Sequence, residues 1–333
     1  MKAFNISRYK KERELQLVDL PEPIVKDDEV LVEIHAASVN QLDSKIKSGE
    51  FKLILPYKMP LVLGHDVAGV IIKVGSKVKK FKVGDEIYSR PADFHIGTFA
   101  DYISINEEYI ALKPKNLSME EAASIPLVGL TAWQALVEKS DVKKGQKVFI
   151  QAGSGGVGVF AIQLAKYLGA TVATTASEKS FDLLKNLGAD IVIDYKTQNF
   201  EDVLIDYDVV LNSQDDKTLI KSFEVVKPGG KIISISGPPT PVFADEFNLP
   251  WYVKLATKFL SGKIRKIAKK QNINYAFLFM TANAKQLTEI TKLIESDKIK
   301  PVIDKVFPFE KINEAMKYVE SGHAKGKVVI KIK

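Results

Sequence analysis

Lys147-Val148-Phe149-Ile150-Gln151-Ala152-Gly153-Ser154-Gly155-Gly156-Val157-Gly158-Val159-Phe160-Ala161-Ile162-Gln163-Leu164-Ala165 is the stretch that decides the fold. Residues 147–151 read as a strand, and the apolar text from 157 to 168 reads as a helix. A glycine-rich turn is a weak signal alone, but strand, turn and helix in that order are the context a dinucleotide site requires. Glycines let the backbone turn tightly and approach a pyrophosphate, and the helix start offers N–H groups with no partner in the helix. The plainer reading, a tight turn without a ligand, is weakened by the elements downstream. Strands at 171–175, 191–194, 209–211 and 231–236 alternate with helices at 179–187 and 217–226. Their apolar runs do not alternate with polar residues, so both sheet faces are covered, as in a doubly wound parallel α/β domain.

The text changes on either side. Upstream, short β-type runs (30–35, 67–74, 99–105) are separated by turn signals such as Pro21-Glu22-Pro23 and Val83-Gly84-Asp85. That pattern predicts an antiparallel or barrel-like domain. Ser118-Met119-Glu120-Glu121 is a capping-box pattern that opens helical text. Downstream of Pro238-Pro239 come a less regular basic segment to about 271, an apolar run (275–280), a helix (285–294), a strand (302–307), a helix (311–319) and a strand (327–332). The expected domains are 1–121, 122–265 and 266–333, the last returning to the first.

The end of the second strand of the α/β domain selects the cofactor. NAD enzymes place an acidic side chain there for the ribose 2′-hydroxyl. Here the chain reads Thr174-Thr175-Ala176-Ser177-Glu178-Lys179. Ser177 and Lys179 can donate to a 2′-phosphate, which a carboxylate would repel. Glu178 is expected to face solvent. NADPH is therefore the expected cofactor.

Composition narrows the chemistry. With 333 residues, 46% hydrophobic and 27% charged, the chain can bury more than one core without covalent staples. It has no cysteine, which excludes disulfides, thiolate catalysis and cysteine-ligated zinc. The net charge of +7 favours anionic ligands. The first residues read as a strand and not as a signal peptide, and cytoplasmic residence is expected. Between Pro250 and Lys270, aromatics and cations mix on an amphipathic helical pattern. It reads as a substrate lid, a membrane-surface contact, a nucleic-acid patch or, most plainly, a solvated basic helix flanking the cleft. The plain reading is preferred, so neither membrane nor nucleic acid is an expected partner.

These residues resemble the zinc-free quinone oxidoreductases and enone reductases of the medium-chain dehydrogenase/reductase superfamily. The resemblance runs through Ala37-Ser38-Val39-Asn40-Gln41-Leu42-Asp43, Gly64-His65-Asp66-Val67-Ala68-Gly69, Gly129-Leu130-Thr131-Ala132-Trp133-Gln134, the glycine turn, Leu187-Gly188-Ala189-Asp190 and Gly326-Lys327-Val328-Val329. It implies a GroES-like β-rich catalytic domain containing both termini, an inserted Rossmann domain, and often a homodimer paired through a sheet edge. It also implies hydride transfer from NADPH to a quinone or an α,β-unsaturated carbonyl. Besides Gly153, Gly155, Gly156, Val157, Gly158, Ser177 and Lys179, it places cofactor contacts on Lys45, Thr131, Tyr195, Ile235, Ser236, Phe277, Leu278, Phe279, Lys325 and Lys327.

No metal is expected. Zinc alcohol dehydrogenases carry a cysteine at the place of Asn40, and their histidine–acid pair matches His65-Asp66; a histidine and an acid alone are too few ligands. His65 is read instead as a histidine hydrogen-bonded between domains. With neither metal nor thiol, Asn40, Lys45 and Thr131 are the candidate catalytic groups: Asn40, with Lys45 or the nicotinamide ribose hydroxyl, is expected to polarise the acceptor's carbonyl, and Thr131 to hydrogen-bond near the nicotinamide. Asn212 is expected to keep a polar contact where relatives carry an aspartate and a glycine pair. A zinc-type alcohol dehydrogenase, or a non-enzymatic NADPH-binding module contacting RNA or membrane, are the alternatives.

Overall fold

A computed structural model describes residues 1–333. The chain divides into two units, Met1–Leu130 with Thr281–Lys333, and Thr131–Met280. The first unit opens with β1 (Lys2–Ile6), β2 (Gln16–Asp19), β3 (Glu29–Val39), helix α1 (Gln41–Ser48), β4 (Leu61–Val62), β5 (Asp66–Val74), β6 (Glu86–Ser89), β7 (Tyr102–Asn106) and β8 (Ile110–Leu112). Helices α2 (Met119–Ala123) and α3 (Pro126–Trp133) follow. The Ser118 capping box forms as read: its hydroxyl accepts from Glu121 N at 3.1 Å, and Glu121 Oε2 accepts from Ser118 N at 2.8 Å.

The second unit continues with β9 (Lys147–Ile150), α4 (Gly156–Tyr167), β10 (Thr171–Ala176), α5 (Phe181–Asn186), β11 (Ile191–Asp194), β12 (Tyr207–Asn212), α6 (Asp216–Val225) and β13 (Val226–Ser234). Helices α7 (Pro241–Glu246), α8 (Trp251–Leu260) and α9 (Gly262–Lys270) precede β14 (Asn274–Phe277). The basic stretch is thus two helices, split at Ser261-Gly262. The first unit then resumes with α10 (Ala284–Glu295), β15 (Ile303–Pro308), α11 (Ile312–Glu320) and β16 (Lys327–Lys331).

In the second unit the strand order is β11-β10-β9-β12-β13-β14, all parallel. Order reverses beside β9, so the ends of β9, β10 and β12 form the switch point at which doubly wound sheets bind ligands. Phe149, Val210, Leu219, Phe223 and Ile232 pack together in its core. Because β14 pairs with β13, residues 266–280 belong to this sheet and not to the returning segment, a correction to the expected boundary at 265. The first boundary likewise falls after Leu130 and not after 121, because α2 packs on β3 and β5.

The first unit has a three-stranded sheet, β2-β1-β4, and a larger one, β15-β16-β3-β5-β6-β8, with β7 also on β3. Val30, Val32, Ile34, Val67, Ile71 and Ile87 fill a core on this larger sheet. Its register sets the next feature: Ser38 pairs with Asp66 and Val39 with Val328, so the ends of β3, β5 and β16 meet.

Candidate active site

The glycine turn occupies the carboxyl end of β9. Ala152 N donates to Thr175 Oγ1 at 3.1 Å and Gly153 N to Thr175 O at 2.9 Å, which holds the turn against β10. A Cβ at Gly153 would lie 2.2 Å from Thr174 Oγ1, and one at Gly158 would lie 2.5 Å from Ala152 O. Only glycine lets the turn lie on β10 and the helix lie on the turn. Gly155 caps α4 and brings no side chain to bond the first turn. The first bond back along the helix is Val159 N to Gly155 O, 3.0 Å, so the N–H groups of Gly156, Val157 and Gly158 precede the ladder. Such an N-terminus fits a pyrophosphate.

At the end of β10, Ser177 is half-buried and its hydroxyl makes no cap bond, while Glu178 and Lys179 are exposed. Tyr195 follows β11, is exposed, and its N–H donates to Ala176 O at 3.4 Å, so it lies beside this strand end. Ser236, exposed, donates to Gln214 O at 2.6 Å, and Ile235 N donates to Asn212 O at 3.0 Å.

Several expected contacts turn inward. Asn212 is fully buried: its amide donates to Gln151 Oε1 at 2.6 Å and accepts from Ser234 Oγ at 2.5 Å. It ties β9, β12 and β13 together. Phe277, Leu278 and Phe279 are buried, and Phe243 meets the ring of Phe277 edge-on at 5.0 Å and that of Phe279 at a tilt at 6.0 Å. Those aromatic side chains are core. Thr131 is buried on α3.

The first unit holds a buried polar cluster. Asp66 opens β5 and is fully buried. Its Oδ2 accepts from Ser38 Oγ (2.6 Å), Asn40 Nδ2 (2.8 Å) and Lys327 Nζ (3.2 Å), and its Oδ1 accepts from Leu127 N (2.7 Å). Lys327, which opens β16, also donates to Asn40 Oδ1 at 2.5 Å and to Val39 O at 3.4 Å. Asp43, in the first turn of α1, accepts from Asn40 N at 2.8 Å and meets His65 Nδ1 at 2.6 Å. His65 Nε2 is buried without a hydrogen-bond partner.

Three expectations change here. Asn40 spends its amide on Asp66 and Ser38 O, and its oxygen on Lys327, which leaves no donor for a substrate carbonyl. Lys327 is a buried counter-ion and not an exposed cofactor ligand. His65 is held by Asp43 of its own unit, not by a partner in the other domain. Lys45 stays at the surface of α1, 3.3 Å from Glu50 Oε1, and Lys325 is half-buried. Sequence reading missed Ser38, Asp43, Thr174 and Thr175. The Asx–acid spacing of Asn40 and Asp43 is a helix-cap pattern that could have marked Asp43; no local signal pairs Lys327 with Asp66, which lies 261 residues away.

This donor set does not fit a catalytic zinc. Every acceptor of Asp66 already faces a proton donor, and the ammonium of Lys327 lies where a cation would otherwise balance that carboxylate. No three His, Asp or Glu side chains are placed to hold a metal ion.

A reversed-order parallel sheet with a glycine turn, inserted into a β-rich unit that contains both termini, defines a medium-chain dehydrogenase/reductase. Residues 26–115 match the alcohol dehydrogenase GroES-like domain and residues 187–330 the zinc-binding dehydrogenase family. The chain is 38% identical to 2-methylene-furan-3-one reductase of Solanum lycopersicum, covering 99% of this chain and 79% of that protein. It is 36% identical to the chloroplastic NADPH-dependent alkenal/one oxidoreductase of Arabidopsis thaliana, over 92% of this chain and 73% of that one. The structure of the quinone oxidoreductase from Coxiella burnetii superposes with a TM-score of 0.87 at 32% identity, over 100% of this chain and 99% of that one. The chain belongs to the quinone oxidoreductase and enone reductase family of this superfamily.

Proposed function

We propose that this protein transfers hydride from NADPH to a quinone or to the C=C bond of an α,β-unsaturated carbonyl. The observation that carries the reading is the glycine turn at the switch point, with its uncapped helix start and, at the neighbouring strand end, Ser177 and Lys179. The names of the relatives support the same cofactor and acceptors.

NADPH, when bound, supplies the hydride. The N–H groups of Gly156, Val157 and Gly158 would hold its pyrophosphate, and Gly153 and Gly155 would let the backbone approach it. Ser177 and Lys179 would donate to the 2′-phosphate, and Tyr195 would cover the adenosine end. The backbone at Ile235, Ser236 and 277–279, with Thr131 as a polar side chain, would serve the nicotinamide end. At the acceptor, hydride adds to the β-carbon, the C=C π bond breaks, and negative charge gathers on the carbonyl oxygen; a proton from water then completes the α-carbon. Lys45, paired at the surface with Glu50, would be the cation to stabilise that oxygen. Lys325 is a further phosphate donor. Asn40, Asp66 and Lys327 position the start of α1, and with it Lys45.

Purified protein should oxidise NADPH with 2-alkenals and with quinones, and much more slowly with NADH. No turnover across a panel of both acceptor classes would overturn the reading. A homodimer through β14 belongs to the same proposal, supported by that strand having a partner on one side only. Its mass in solution should be twice 37.0 kDa.

A further inference from the structure

Helix α8 is built inside out. Only Val253 and Thr257 of its ten residues are buried, while Trp251 is 77% exposed and Phe259 76%. Trp251, Leu255 and Phe259 recur at i, i+4 and i+8, so they form one outward stripe, with Tyr252 beside it. Lys254 and Lys258 line its edge, and Lys254 reaches back to Asp245 at 2.6 Å. Pro241, Trp251 and Leu255 wall a shallow depression of about 250 Å³ between α7 and α8, continuing the apolar face. A solvated basic helix would show its lysines outward as here, but with its rings buried.

Beyond Asp245 and Glu246 of α7, the charge on α8 and α9 has one sign. Between Phe247 and Thr288 the chain has no aspartate or glutamate. Helix α9 adds Lys263, Arg265, Lys266, Lys269 and Lys270, none of them buried, while Ile264 and Ala268 anchor it to the core.

We propose that α8 and α9 form a docking surface for an anionic lipid bilayer, with the Trp251–Leu255–Phe259 stripe inserted at the headgroup boundary and the α9 cations on the phosphates. An apolar stripe with Trp and Phe, bordered by lysines, is the composition of a helix that lies in a membrane interface. No helix of this chain is long and apolar enough to cross a membrane, so the contact is peripheral. A second copy is the poorer occupant. A two-fold contact would set the same patch on itself and bring the two sets of α9 cations together with no carboxylate on either α8 or α9 to face them. RNA would satisfy the cations but leave Leu255 and the outward rings at helical spacing without a role. The surface would place a hydride-transfer enzyme beside acceptors dissolved in a membrane.

The test uses the full chain with phosphatidylcholine vesicles, with and without phosphatidylserine, in low and high salt. Co-sedimentation should require phosphatidylserine and fall at least about tenfold on raising the salt. Trp251 emission should shift to the blue on binding. Trp251→Ser with Phe259→Ser, and separately Lys263→Glu with Lys266→Glu and Lys269→Glu, should each weaken binding about tenfold or more. NADPH oxidation with a soluble acceptor should be unchanged in both variants, showing that they fold. Absence of binding to phosphatidylserine vesicles, or binding that the two sets of substitutions leave intact, overturns the proposal. So does a self-association that the Ser substitutions abolish, or an RNA complex that only the Glu substitutions abolish.

Discussion

At the scale of single residues, two close approaches and one buried charge shape the molecule. Gly158 faces Ala152 O, a backbone atom that cannot move aside without opening the turn, and Gly153 faces Thr174. Gly158→Ala is expected to weaken NADPH binding by about tenfold or more and also to lower the thermal midpoint, because the turn must open to admit the methyl, as titration of cofactor fluorescence and a melting curve would show. Ser177→Ala with Lys179→Ala should cost NADPH affinity much more than NADH affinity, because only NADPH carries the 2′-phosphate; the ratio of the two Kd values reads this directly. Lys327→Met removes the one cation beside Asp66 and leaves Asn40 Oδ1 without its donor. Breaking one side of a buried pair costs about 3 kcal/mol or more, which denaturant unfolding should detect. The cluster explains why Asn40 looks catalytic in the sequence. A polar residue stands where relatives with zinc place a ligand, but its partner Lys327 comes from the far end of the chain, and no local pattern announces such a pairing.

At the scale of elements, the second unit is legible from β9 to β13 because the strands and helices there follow their own local signals. The alternation of apolar strands with helices gives the parallel sheet, and in the first unit the Ser118 capping box forms as read. What local signals do not carry is direction. The periodicity of residues 250–270 predicts an amphipathic helix, but periodicity does not say which face meets the protein; only burial shows that the rings of α8 point outward. Side chains at strand ends mislead for a related reason: Asn212 and Phe277 sit where ligand contacts are expected, yet tertiary neighbours turn them inward. One junction makes a testable contribution to stability. Asp190 precedes β11, accepts from Val172 N at 2.7 Å and pairs with Lys166 of α4 at 2.8 Å. Burial alone would raise its pKa, but the Lys166 and Val172 hydrogen bonds outweigh it and hold the carboxyl below its ordinary 3.8. A depressed carboxyl stabilises the fold above its unfolded value and loses that contribution as pH falls through its folded value. Stability measured from about pH 5 downward should therefore fall less steeply in Asp190→Asn than in the natural chain.

At the scale of the whole molecule, the leave-and-return order of the chain is readable from the change in texture near Ser118 and the strands after 300. The boundaries are not. They depend on β14 joining the sheet at β13 and on α2 packing against β3 and β5, which are long-range contacts. The function rests on the second unit's cofactor-binding turn and the family to which the whole chain belongs, and its core is a hydride transferred to carbon. The direct measurement is transfer of label from NADPH deuterated at the reactive nicotinamide position, with a 2-alkenal as acceptor and mass spectrometry and NMR of the product. The expected product is a saturated aldehyde with deuterium on its β-carbon. Deuterium on the carbonyl carbon of an allylic alcohol, or a saturated aldehyde with no deuterium on its β-carbon, would contradict hydride transfer to the C=C bond.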